Sequence, residues 1–489
     1  MATRRPSVVN RRIARFMVAI VTFLILATSS TGPANAGMIG GTWIQSYAGV
    51  TSTGVYVSVV PVTAPFSNRW YSVEGGKAKI ITTSEKSFTR SWWAQSARYR
   101  LSGNGGLALW GQNVRYGDTT GWPSGGYSSL WTFQGAKANR IALNFSAAIA
   151  NSPLGQSSGH AYWFECSLAS MYSCKLFHAT STSAKLEVPN SAGLNPEGLP
   201  TGVASPVTIG DAFDVGAGTL LVAATRFDAT GCELQLVIVG PSGTHADVAC
   251  APFNPAWTGF IPFQGKIIGP GGLIYENGAT FRWIPANQEG APIILTSQPV
   301  AGGSELFFFG HLEGGDQSNL YAWNGTVTRL VGQFEPSPLA FISGRPYLAA
   351  IPACDGAACE KNRTMNIYDL GVQPAVKVAS ATIGWANYYD IPSYPYCVAC
   401  VARMGFEGFK GKLYFSKYGS TGVEIYRWDP KTKKTTLFKN IRAGAKSSFP
   451  FEFKAVGSWM YFFADSNGKR GPELWATNGT SVTKLLEGP

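Results

Sequence analysis

The sequence predicts an all-β protein whose main part is a single β-propeller of about eight four-stranded blades, with seven to nine as the range. Three observations predict it: a pair of motifs recurs at one shared offset, the composition suits short strands, and a leader-like segment stands apart from the rest. Charged residues are 14% of the chain, aromatic residues are 13%, and 57 of the 489 residues are glycine. Aromatic side chains fit a pleated, half-buried surface and glycine supplies the positive φ of tight turns. Such a balance favours many short strands over helices.

The chain begins with Arg4, Arg5, Arg11, Arg12 and Arg15 and no acid, then an apolar run from Phe16 to Ala27, then Ala34, Asn35 and Ala36. Basic, apolar and small residues in that order predict a cleaved signal peptide over residues 1–36 and a propeller repeat domain over 37–489. The apolar run holds 12 residues, short of the roughly 20 that cross a bilayer, which argues against an uncleaved anchor. Ile13 and Ala14 fit a twin-arginine signal poorly. No later stretch is long and apolar enough to span. The expected location is therefore periplasmic, cell-surface or extracellular, with no transmembrane segment after cleavage. Loss of five arginines takes the net charge from +12 to +7, evenly spread. That charge is compatible with anionic glycans or envelope surfaces, and no run of like charges marks a nucleic-acid partner.

Eight cysteines follow the leader in four close pairs: Cys166 with Cys174, Cys232 with Cys250, Cys354 with Cys359, and Cys397 with Cys400. An even count in an exported chain reads as disulfides, here local staples that clip hairpins or loops. A four-thiolate zinc site from the last two pairs is the rival reading, disfavoured in an oxidising compartment. No cofactor is expected.

The repeat is clearest near the C-terminus. G-S-E-L-F-F-F-G at Gly303 recurs as G-S-W-M-Y-F-F-A at Gly457, and N-L-Y-A-W-N-G-T at Asn319 recurs as E-L-W-A-T-N-G-T at Glu473, both 154 residues on. Two separated motifs with one offset do not arise from composition. Copies at Gly344 with Asn366, and at Gly411 with Glu424, divide that offset into three units of about fifty residues. Toward the N-terminus the second motif is echoed at Ser129, loosely at Arg69, and weakly around Lys175, Glu233 and Phe281, making nine candidate anchors.

Each unit reads as a glycine turn, an apolar strand, a second strand with Leu and an aromatic, an Asn-Gly-type turn, and a third strand such as Thr435 to Phe438. Phe451 to Val456 is expected as a fourth strand leading into the next glycine. Repeated four-stranded units are how propeller blades are written; a β-helix or solenoid is the alternative, with shorter rungs. The nearly all-apolar first strand is expected nearest the axis.

E-L-W-A-T-N-G-T, with Y-F-F-A-D-S-N-G at Tyr461 and K-N-I-R-A-G-A-K-S-S-F-P at Lys439, resembles the bacterial repeat family named for E-L-W-x-x-D-G-T. The resemblance covers about a sixth of the chain closely. It implies an exported, propeller-like repeat protein and supplies no reaction. Asn478 stands where that family has Asp.

Four histidines, His160, His178, His245 and His311, are the candidates for acid–base work. His160 and His178 fall on neighbouring strands of one unit, with Tyr162 and Lys175 close in sequence. By fold-level analogy, a His/Tyr pair that abstracts the proton beside a uronate carboxylate neutralised by Lys175 describes a polysaccharide lyase acting on an anionic glycan. Locally bonded strand-end histidines are the simpler reading. D-S-N-G at Asp465 reads as a turn rather than a calcium loop. Glu313 with Asp316, and Asp390, are loop carboxylates whose separation nothing fixes. Trp70, Trp131, Trp283, Trp323, Trp428 and Trp475 fall in the repeated strand and are expected to pack the units. Trp92, Trp93, Trp122, Trp257 and Trp385 lie in connections, where exposed rings form stacking platforms. The sequence leaves enzymatic activity undecided. It favours a binding module for a glycan or an envelope or extracellular protein, with the uronate lyase as the alternative and a structural envelope protein as a third reading.

Overall fold

The computed structural model describes residues 42–61, 69–81, 98–102, 105–110, 129–141, 149–167, 174–180, 183, 185–191, 194–196, 207–226, 234–251, 260–269, 272–276, 278–281, 293–312, 315, 318–350, 363–383, 405–468 and 472–487. The leader expected over residues 1–36 lies outside them. The described residues form strands and turns with no α-helix.

The described residues form nine sheets that follow one another along the chain, within residues 42–80, 98–141, 149–187, 194–251, 261–281, 293–332, 339–383, 406–439 and 451–486. Seven are plain four-stranded antiparallel meanders. The fourth carries an extra strand, Leu194–Pro196, parallel to Val207–Gly216. In the sixth, Ile293–Leu295 and Val300–Gly302 both pair with Glu305–Leu312. Of the nine sequence anchors, eight mark the third strand of an antiparallel meander, counted from Val207–Gly216 in the fourth sheet. The ninth, at Phe281, marks the fourth strand of the short-stranded fifth sheet, Ala279–Phe281.

One expectation is corrected. Phe451–Val456 pairs with Trp459–Ala464 through the turn at Gly457 and Ser458, so it opens the last sheet instead of closing the one before. A two-residue turn leaves a strand no choice but its immediate successor as partner. The nearly all-apolar strand, expected first and nearest the axis, is thus second in its sheet. It is apolar because other sheets cover both its faces. Met460, Tyr461, Phe462 and Phe463 alternate between two different cores, and all are fully buried.

Those cores lie between consecutive sheets. Separate clusters join the third sheet to the fourth, the fourth to the fifth, and so on to the eighth and ninth. A further cluster joins the ninth sheet to the first: Val55, Val57 and Val73 pack with Tyr461, Phe463 and Leu474. Gly76 N–H donates to the Tyr461 hydroxyl at 3.3 Å. A side chain at Gly76 would collide with the Trp459 ring, 2.5 Å from where its Cβ would sit. The ninth sheet is therefore a neighbour of the first. Each buried Phe or Leu at these junctions contributes about 2 kcal/mol from apolar area removed from water.

The first strands of neighbouring sheets touch, as with Leu339–Ile342, Phe406–Phe409 and Phe451–Val456 in turn. Gly408 lies so close to the Phe341 backbone that a Cβ would fall 1.8 Å from its carbonyl oxygen. Close approach of two inner strands requires glycine there.

The repeat signature is a structural clamp. Glu424 is fully buried and accepts from Ile441 N–H at 2.8 Å, Ser448 N–H at 3.1 Å and Ser448 Oγ at 2.6 Å, with Arg442 N–H at 3.4 Å. It thereby holds the segment that crosses from the eighth sheet to the ninth. Burial pushes its carboxyl above the ordinary range despite these donors. Glu473, equally buried, accepts from Ser466 N–H and the Lys484 ammonium. Asn478 Oδ1 accepts from Thr480 N–H and Ser481 N–H, both at 2.9 Å, and Asn324 Oδ1 repeats this with Thr326 and Val327. Only an acceptor is needed at that turn, so Asn serves there as Asp would.

Candidate functional site

The meanders have two unlike ends. Connections from first to second and from third to fourth strand are short, for example Ser158 and Gly159, Ala217 and Gly218, or Lys410 and Gly411. Connections from second to third strand, and from the fourth strand to the next sheet, leave from the opposite end and hold nearly all the long segments. Trp92 and Trp93 fall between Lys77–Ile80 and Arg98–Ser102, and Trp122 falls between Gly105–Trp110 and Ser129–Gln134. Trp257 falls between Gly243–Ala251 and Ile261–Phe263, and Trp385 between Val376–Ile383 and Phe406–Phe409. All five tryptophans lie outside the described residues, as do Cys232, Cys354, Cys359, Cys397, Cys400, Glu313, Asp316 and Asp390. Their flanking strands nonetheless anchor every one of these connections at the same kind of end. Cys166 and Cys174 are directly opposite in the register of the third sheet, also at that end, and Cys174 is disulfide-bonded.

The repeat tryptophans behave otherwise. Trp70, Trp131, Trp323 and Trp428 are buried and Trp475 is half-buried against the last sheet's core, while Trp283 is outside the described residues.

His160, Tyr162 and His178 come together, but at the tight-turn end. His160 opens its strand straight after Ser158 and Gly159, and His178 lies opposite Tyr162. Ring centroids are 5.6 Å apart for His160 and His178, 5.8 Å for Tyr162 and His178, and 6.4 Å for His160 and Tyr162. Tyr162 is fully buried and its hydroxyl donates to the Gly218 carbonyl of the next sheet. Burial drives its ionisation well above the ordinary phenol range. A proton-abstracting phenolate is unfavourable under those conditions. His178 is held below the usual histidine range, first by burial and then by repulsion from His160. Nδ1 of both histidines and Ser157 Oγ are buried without a hydrogen-bond partner among the described residues.

Lys175 does not join this group. Strand alternation places it on the other face of the sheet, where it pairs with Glu187 at 2.8 Å, both side chains largely exposed. Position parity along Cys174–Ala179 was the signal for this, since 175 and 178 are three apart. A cation beside the histidines, which the lyase reading needs for the substrate carboxylate, is not supplied by Lys175. His245 is exposed on the fourth sheet, and His311 bonds through Nδ1 to its neighbour's carbonyl, Leu312, at 3.0 Å. Asp465 Oδ1 accepts from Asn467 N–H at 3.1 Å and Gly468 N–H at 2.6 Å, the side-chain turn expected of D-S-N-G.

A feature that sequence reasoning missed is a groove of about 530 Å³ between the fourth and fifth sheets, lined by Phe213, Asp214, Thr219, Ile267, Tyr275 and Glu276 among others. It forms across two sheets, so no local pattern announces it.

No family model and no curated protein matches this chain. Among solved structures, the chain is similar to a puromycin-hydrolysing peptidase of Mycobacterium tuberculosis (12% identity, TM-score 0.29, covering 76% of this chain and 58% of that one). It is also similar to a structure from a study of two prolyl endopeptidases (9%, 0.35, 88% and 55%) and to TolB from Acinetobacter baumannii (10%, 0.28, 69% and 69%). The chain spans little more than half the length of the two peptidases.

Proposed function

We propose that this chain is an exported nine-bladed β-propeller of the repeat type its signature resembles, acting as a binding module for a glycan or an envelope or extracellular protein. Closure of the ninth sheet on the first supports the propeller. The observation that carries the binding reading is the asymmetry of the meander ends. Tight turns cap one end, whereas the long connections, with Trp92, Trp93, Trp122, Trp257 and Trp385, issue from the other. A rigid scaffold with variable loops gathered at one end is a common arrangement for recognition. Cross-linking of Cys166 to Cys174, and of the remaining cysteine pairs, would tether those loops at their bases.

The test uses the leader-free protein against immobilised glycans and envelope extracts, alongside uronate polysaccharides monitored by ultraviolet absorbance for an unsaturated product. Retention that falls when Trp257 and Trp385 are changed to Ala, with a flat absorbance trace, supports the reading. A rising trace abolished by His178→Ala would replace it with the lyase.

A further inference from the structure

The groove between the fourth and fifth sheets sits at the tight-turn end, away from the long connections. Its walls are the turn after Val207–Gly216 and the ends of Lys266–Ile268 and Ile274–Glu276. The cluster behind it is only partly closed: Leu221, Leu236 and Leu273 are buried, while Phe213, Val215, Ile267 and Tyr275 are partly exposed. The fifth sheet causes this. Its strands are three residues each, against ten for Val207–Gly216, so the longer hairpin overhangs a gap.

The charged side chains lining the gap are the carboxylates Asp214 and Glu276. Asp214 Oδ1 accepts from Gly216 N–H at 2.8 Å, and Asp214 Oδ2 has no partner among the described residues. Glu276 Oε2 pairs with the Lys266 ammonium, leaving Oε1 unengaged among the described residues. Two carboxylates against one ammonium give the groove a negative balance on a chain that is otherwise basic. Tyr275 and Phe213 add half-exposed aromatic rings.

We infer that this groove is a subsite for a non-anionic pyranose unit of a glycan. Partly exposed rings offer apolar contact to a sugar ring, unengaged carboxylate oxygens accept from hydroxyl or ammonium donors, and the negative balance rejects uronates. The volume is within the range of small-ligand sites. The site is separate from the loop end and does not depend on it.

The test titrates leader-free protein with a glucosamine oligomer, an N-acetylglucosamine oligomer and a galacturonate oligomer, followed by calorimetry. Saturable binding of either of the first two, weakened about tenfold by Tyr275→Ala and by Asp214→Asn, is expected. Asp214→Asn keeps an acceptor for Gly216 N–H, and unchanged thermal melting confirms that both variants fold. Binding of the glucosamine oligomer alone identifies the ammonium as the favoured donor; binding of both identifies the hydroxyls. Trp257→Ala leaves this binding intact and reads the loop end independently. Preference for the galacturonate oligomer, absence of saturable binding to both others into the millimolar range, or binding insensitive to the two groove variants overturns the inference.

Discussion

Replacing Glu424 by Ala removes the acceptor for Ile441 N–H, Arg442 N–H, Ser448 N–H and Ser448 Oγ at once. Glu424 and Ser448 are both fully buried, so water cannot substitute freely. Orphaning a buried donor costs about 1–3 kcal/mol. Removing the carboxylate also removes its desolvation penalty, which offsets part of this, because burial already disfavours its charged form. Two strongly bonded donors left unpaired therefore set the net loss at about 4 kcal/mol. A unit of residues 40–489 melts with an entropy of about 0.9 kcal/mol/K at ~2.1 cal/mol/K per residue, so the midpoint should fall by about 4 °C. Differential scanning calorimetry measures this. Hydrogen exchange should show lost protection at Ile441 and Ser448 before any change at Leu413–Phe415. Glu424→Gln retains one acceptor oxygen and should fall between native and Ala. A Glu424→Ala midpoint within about 1 °C of native, with protection at Ser448 unchanged, would refute the clamp.

His178 has a folded-state pKa lowered below 6.5 by burial and by His160, so its neutral form is the one the fold favours. The stability it contributes is present above its unfolded value and lost as pH falls through 6.5 toward the folded value. Melting midpoints compared at about pH 8 and about pH 5 should drop, and His178→Gln should flatten that dependence. Glu424, whose carboxyl is raised, works in the opposite sense: its contribution is greatest below about 4.5 and declines as pH rises through the folded value. At the last turn, Asn478→Asp should melt within error of native because Oδ1 remains an acceptor, whereas Asn478→Ala should cost about 1 kcal/mol.

Much of this fold was legible because the repeated strand is a packing unit. Buried Leu and aromatic positions such as Leu320, Trp323, Leu474 and Trp428 must recur wherever a third strand sits between two sheets, so eight anchors fell on third strands. The fifth sheet was misphased by one strand because three-residue strands carry too little alternation to fix a register. The glycine turn at Gly457 marks Phe451–Val456 as the hairpin partner of Trp459–Ala464, and reading that turn as a boundary between units placed the strand in the preceding sheet.

The candidate sites were less legible. Tyr162, His160 and His178 were found because one hairpin brings them together. Their consequence was hidden, since Gly218, the partner of the Tyr162 hydroxyl, is a backbone carbonyl 56 residues away. Glu424 was visible as a motif but silent as to role for the same reason: its partners are main-chain amides, which carry no sequence signal. The groove beside Tyr275 arises from a mismatch in strand length between two sheets, a relation that no single segment encodes.

The central claim is that the first and last sheets are neighbours. Lys77 and Lys79 are exposed on strand Lys77–Ile80, which touches strand Val482–Leu486 carrying Lys484. Treating dilute leader-free protein with a short amine-reactive cross-linker and sequencing the linked peptides by mass spectrometry tests it directly. The closed ring predicts intramolecular links from Lys77 or Lys79 to Lys484 in monomeric protein. Links confined to consecutive sheets, with none joining the first sheet to the ninth, would contradict it.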